Sequence, residues 1–118
     1  MDRVRFITHR EQQILLVDFT DCTPEEVADV ADQAPETVTR EPLGSVLLLA
    51  DFSRSQFTRE AFEHVKITAA LHRPHLKRSA WVLTENLPKA LQDSVRSFSA
   101  REIPIFATRE EALDYLVS

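Results

Sequence analysis

Apolar positions along this chain switch between a period of two and a period near 3.6. Val4 to Thr8 and Gln13 to Asp18 are short apolar segments on either side of the charged turn His9-Arg10-Glu11, which predicts an antiparallel hairpin at the edge of a sheet. Thr23-Pro24-Glu25-Glu26 then supplies an N-cap threonine, a proline at the first helical position and a glutamate three residues after the cap. Val27, Val30, Ala31, Ala34 and Val38 follow at helical spacing, and Pro35 is expected to end or kink this first helix. Glu41-Pro42-Leu43-Gly44, with the only glycine of the chain, makes a turn into a buried strand from Ser45 to Ala50.

The alternation continues. Thr58 is a good N-cap for a second helix through about His72, with Ala61, Phe62, Val65, Ala69 and Leu71 on its inner side, and Pro74 stops it. Ser79 to Leu83 predicts the next strand, and Leu87, Leu91, Val95 and Phe98 recur at helical spacing behind Asn86 and Pro88. A short strand near Ile103 to Phe106 precedes the capping box Thr108-Arg109-Glu110-Glu111, which opens a helix burying Ala112, Leu113 and Leu116. These elements predict an α/β fold: a mixed four- or five-stranded sheet with an N-terminal antiparallel hairpin, later strands mostly parallel, right-handed crossovers and about four helices. At 118 residues the chain has the size of one domain, 1–118.

Composition narrows the function. The chain is 43% hydrophobic and 28% charged, and no apolar run approaches the roughly 20 residues that span a bilayer. No long apolar segment follows the first residues, so a secretory signal is not expected and the cytoplasm is the expected compartment. Cys22 is the only cysteine; it excludes an internal disulfide or a cysteine-built metal cage and reads as a small residue near a helix start. The formal net charge is −5, yet seven acidic residues and no basic ones fall between Asp18 and Glu36. Glu25, Asp29, Asp32 and Glu36 share one helix face, a solvated face or an acidic docking surface. Without a long basic run, nucleic acid is not an expected partner.

The stretch Val46 to Thr58 locates the first place to look for a site, because a buried strand breaks at Asp51 into a short polar loop before a helix restarts. In open sheets flanked by helices, ligands and partners meet the crevice at the carboxyl ends of the strands. One glycine, placed before the strand, excludes a phosphate-cradling glycine loop, and Ser53 and Ser55 lack the glycines of a hydrolase elbow. His72 and His75 are three apart, but Pro74 breaks the helix between them and Arg73, Lys77 and Arg78 would repel a cation, so no metal is expected. The same three cations could hold an anion, a lipid headgroup or an acidic partner; a solvated helix-to-strand loop accounts for them without any ligand. His9 and His64 have no partner legible in the sequence. Trp81 reads as core packing and Phe57 as a hydrophobic staple against Phe62.

The order of elements, the segment Val46 to Phe57 and the ending Phe98 to Leu116 resemble the STAS-like family of small bacterial proteins, related in fold to the sporulation anti-sigma factor antagonist and to the lipid-binding CRAL-TRIO domains. The resemblance covers nearly the whole chain from about Ile14 onward. In the antagonist branch it implies a switch in which a serine at the start of the second helix is phosphorylated. Asp51-Phe52-Ser53 and Phe57 match that branch, but Arg59-Glu60-Ala61 stands where the phosphoacceptor serines should lie, leaving Ser53, Ser55 or Thr58 as substitutes. For Thr58, N-capping is already a sufficient account.

Two expectations follow. The first is a non-enzymatic regulatory protein-interaction module, in which the loop Asp51 to Thr58, with Ser53, Arg54 and Ser55, and the second helix dock a protein partner or another copy of the chain. The second is a carrier or sensor of a small amphipathic ligand such as a lipid or nucleotide, held by Asp51, Ser53, Thr84 and Asn86 in a cavity walled by Phe62, Val65, Leu87 and Leu91. Neither needs a catalytic residue or a cofactor, and no nucleophile, base and orienting group stand at useful spacing for an enzyme.

Overall fold

The computed structural model of the chain describes residues 3–56, 58–83, 93–98 and 103–118. Strands β1 (Val4–His9) and β2 (Gln12–Asp18) form an antiparallel hairpin, followed by α1 (Pro24–Val38), β3 (Val46–Asp51), α2 (Arg59–His72), a 3₁₀ turn (Arg73–His75) and β4 (Leu76–Val82). A helical stretch at 93–98 (α3), the short β5 (Ile105–Phe106) and α4 (Arg109–Val117) complete the order. The five strands stand in sequence order, with every pair after the hairpin parallel. Adding parallel strands in one direction by right-handed crossovers places the connecting helices on the same face. The core divides accordingly. Leu15, Val17, Val46, Leu48, Ala50 and Trp81 pack beneath α1, α2 and Val95, while their alternates Ile14, Leu16, Leu47, Leu49, Ala80 and Val82 pack against Ala112 and Leu116 of α4. Burial on both faces explains why these strands read as unbroken apolar runs.

The hairpin closes through Arg10 and Glu11, both in the left-handed region at φ 49° and 66°, the geometry of a tight two-residue turn. Thr23 forms the expected capping box: its Oγ1 accepts from the Glu26 N–H and the Glu26 carboxylate accepts from the Thr23 N–H. Thr58 and Thr108 cap α2 and α4 by the first of these bonds alone, each side chain accepting from the N–H three residues on, and the Thr108 hydroxyl donates to Glu111 Oε1 at 3.0 Å.

Several expectations need correction. Pro35 does not end α1; the helix runs to Val38 because Ala34 and Val38 are buried on either side of it, and the Pro35 carbonyl accepts from both the N–H and the hydroxyl of Thr39. Strand β4 begins at Leu76 rather than Ser79, because pairing to β3 extends past a register shift between Val46 and Leu47. The last strand is Ile105–Phe106 alone, Pro104 standing ahead of it with its carbonyl bound by the Trp81 N–H. Leu71 is 54% exposed, and Thr68 and His72 are buried in its stead, so the inner stripe of α2 leans away from the apolar residue. The segment from His72 to His75 is accordingly not a plain solvated loop: His72 ends the helix inside the core, and His75 Nδ1 lies 2.8 Å from the Glu41 carbonyl. Trp81 is a core residue as expected; Phe57, Leu87 and Leu91 lie outside the described residues. Among the described residues no helix is long and apolar enough to cross a membrane.

Candidate functional site

At the carboxyl ends of β2 and β3 the chain uses one short motif twice. Asp18-Phe19-Thr20-Asp21 and Asp51-Phe52-Ser53-Arg54 leave neighbouring parallel strands in register, Asp18 beside Asp51. In each, the first aspartate Oδ1 accepts from the N–H and the hydroxyl two residues on: 3.0 and 2.6 Å from Thr20, 2.9 and 2.6 Å from Ser53. These side-chain turns hold the strand end open without glycine. The two phenylalanines stack at 4.4 Å with planes 13° apart, and Phe52 meets Trp81 edge-on. The fourth residues, Asp21 and Arg54, both take φ near 57° and close an ion pair, Arg54 Nε and Nη2 donating to Asp21 at 2.8 and 3.2 Å. Backbone bonds from the Phe19 N–H to the Asp51 carbonyl and from the Asp21 N–H to the Ser53 carbonyl stitch the copies together.

Three arginines face the aspartates. Arg109, at the start of α4, places Nε and Nη2 each 2.8 Å from Asp51 Oδ2, whose side chain is only 4% exposed. Arg3 and Arg5 approach Asp18 at 3.9 and 3.5 Å, and Arg3 also donates to the Thr20 carbonyl at 2.7 Å. Burial disfavours the Asp18 carboxylate, but the Thr20 hydroxyl and N–H, with Arg109 and Arg5 nearby, outweigh it and hold its carboxyl below the ordinary value. The hydrogen bond from Arg54 lowers Asp21 likewise, and burial pushes the Cys22 thiol up, which keeps it protonated and inert.

The expected site residues that are described thus each have a partner within the fold, Asp51 and Ser53 in each other. Asp51 is held by Ser53 and Arg109, Arg54 by Asp21, Ser55 Oγ donates to the Phe52 carbonyl at 2.7 Å, and Thr58 Oγ1 accepts from the Ala61 N–H at 3.1 Å. Thr84 and Asn86 lie outside the described residues. Two groups were not expected. The pairing of Asp-Phe-Thr with Asp-Phe-Ser was visible as a repeat in the sequence; Arg109 was hidden inside a capping box that already accounted for its neighbours. His9 and His64 find carboxylate partners, Asp114 and Asp32, each at 3.0 Å.

A cavity of about 30 Å³ lies under α2, lined among others by Val17, Leu48, Trp81, Thr68 and His72. Of the groups expected to wall a ligand cavity, Val65 lines it. His72 is 6% exposed and its Nε2 has no hydrogen-bond partner among the described residues; burial first, then the neighbouring His75, push its pKa down to about 4. On the outer side of the same helix Ile67 and Leu71 are 61% and 54% exposed. No family model matches the chain, and searches of curated proteins and of solved structures give no significant match.

Proposed function

We propose that this chain is a non-enzymatic interaction module, of the regulatory kind its resemblance to STAS-like antagonist domains implies, and that it docks through the outer face of α2 onto a second copy of itself. The observation that carries the reading is the pair Ile67 and Leu71, one helical turn apart and both more than half exposed, with Ala70 exposed beside them. Arg59, Glu60, Glu63 and Lys66 precede this patch on the helix, Glu63 and Lys66 ion-paired at 2.9 Å. An antiparallel pairing of two α2 helices about the patch sets Ile67 and Leu71 of each against those of the other, and the two acids and two bases ahead of the patch leave no net charge to oppose a second copy as the occupant. The small apolar area favours a weak, reversible dimer.

The engagement of the polar groups at the carboxyl edge supports a non-enzymatic reading, since Asp51, Ser53 and Arg109 are bound to one another and not presented to a substrate. The carrier alternative encloses a lipid or nucleotide within the core, which requires several hundred Å³; the cavity that Val65 lines under α2 is about 30 Å³ and takes at most a small group.

Sedimentation equilibrium of the full chain, from micromolar to millimolar concentration, tests the proposal. The average mass is expected to climb toward that of a dimer, and an Ile67→Glu, Leu71→Glu double variant with an unchanged circular-dichroism spectrum is expected to remain monomeric. A chain that stays monomeric throughout, or a variant that associates as well as the parent, overturns it.

A further inference from the structure

Beside the cavity under α2, at the amino end of β4 and so opposite the Asp18–Asp51 edge, lies a groove of about 270 Å³. Arg73, Lys77 and Arg78 line it, with Phe98, Pro104 and Tyr115 as its apolar walls, and among the described residues no acidic one is in its lining. In a chain of net charge −5 that concentration of cations is a local inversion of the field, which attracts anions into the groove. Arg78 is already oriented: Nη1 donates to the Tyr115 carbonyl at 2.9 Å and to Ser118 Oγ at 2.8 Å, and its guanidinium lies over the Tyr115 ring. Lys77 is exposed and makes no ion pair among the described residues.

Groove and cavity share Ala69, Leu76, Ser79 and Ile103 as walls. The cationic groove therefore adjoins an apolar recess lined by Trp81 and His72, a residue 6% exposed whose Nε2 has no hydrogen-bond partner among the described residues.

We propose that this joined groove and recess bind a small amphipathic anion, its carboxylate or phosphate head against Lys77, Arg73 and Arg78 and its short apolar body directed beneath α2 toward His72. The shape sets the class. The recess is too small for a long acyl chain, and the groove is wide enough for a head with a short chain or a single ring. The inference does not depend on self-association, because it uses the opposite side of α2 from Ile67.

Trp81 is the only tryptophan and lines the recess, so its fluorescence reports entry of the apolar body. Full-length protein at micromolar concentration is titrated with hexyl phosphate, with hexanoate and with inorganic phosphate. Saturable change with either amphiphile, at least tenfold tighter than inorganic phosphate and weakened at least tenfold by Lys77→Glu, is the expected result. Lys77 is exposed, so that variant retains the fold. No saturation with either amphiphile, equal affinity for inorganic phosphate, or indifference to Lys77→Glu overturns the proposal.

Discussion

Removing the imidazole of His72 is expected to flatten the acid dependence of stability. The group has an ordinary pKa of 6.5 and is pushed down to about 4 in the fold by burial, assisted by His75. A histidine whose folded pKa is depressed binds its proton more readily in the unfolded chain, so stability rises with pH between the two values and is lost as pH falls from 6.5 toward 4. At pH 7.5 both states are essentially neutral and the contribution vanishes. At pH 5 the unfolded chain holds the proton and the folded one does not, a loss of about 2 kcal/mol, growing to about 3 kcal/mol below the folded value. With a urea m-value of about 1–3 kcal/mol per molar, the midpoint falls by roughly 1–2 M between pH 7.5 and pH 5.

His72→Leu removes the titrating ring, keeps an apolar filling and breaks no hydrogen bond at Nε2. Urea unfolding of both proteins at the two pH values, followed by far-ultraviolet circular dichroism, gives the difference of interest. The lowered carboxyls, Asp18, Asp21 and Glu26, contribute stability that is present above their ordinary values of 3.8, 3.8 and 4.5 and is lost as pH falls through and below them. They therefore leave the chosen window untouched and cancel between the proteins. A variant that loses as much stability as the parent between pH 7.5 and pH 5 would refute the assignment of that dependence to His72.

Two further outcomes follow from local geometry. Asp51→Ala removes two bonds to Ser53 and the Arg109 contact and should cost about 2–4 kcal/mol in urea unfolding, nearer the lower figure because Arg109 stays 38% exposed and can rehydrate; a loss below about 1 kcal/mol would mean the network is decorative. Pro35→Ala restores an N–H to the interior of α1 and should stabilise the protein by about 1–3 kcal/mol in the same assay, whereas destabilisation would show that the ring packs usefully where it stands.

What was legible in the chain follows the physics of each signal. The alternation of strands and helices and the mixed character of the sheet could be read because strands buried on both faces must be apolar throughout, and because Thr23, Thr58 and Thr108 announce helix starts through hydrogen bonds made within three residues. Local chemistry was legible wherever the partner was local. The partners of His9, His64 and Asp51 were not, since Asp114, Asp32 and Arg109 stand 105, 32 and 58 residues away and only the fold brings them together. Pro35 does not end α1 for the converse reason: a local penalty of about 3 kcal/mol is outweighed when Ala34 and Val38 bury the flanking turns.

The second helix fails differently, and its failure is informative. From Ala61 to Val65 its buried positions follow hydrophobicity, but over the last two turns Thr68 and His72 point inward while Ile67 and Leu71 point to solvent. Moving the inner stripe by one residue would bury the leucine and expose the imidazole. Sequences are locally consistent where only stability is selected, and departures concentrate where something else is required of the residues. Here the departure has two sides. The outward pair makes a patch suited to a second helix, and the inward pair puts a neutral, hydrogen-bonding ring against a recess that opens onto Arg73, Lys77 and Arg78. Exchanging the two, with Leu71→His and His72→Leu together, should therefore raise stability at acid pH while abolishing self-association. A stabilised double variant that still associated as the parent does would mean that the inversion of α2 does not serve a second helix.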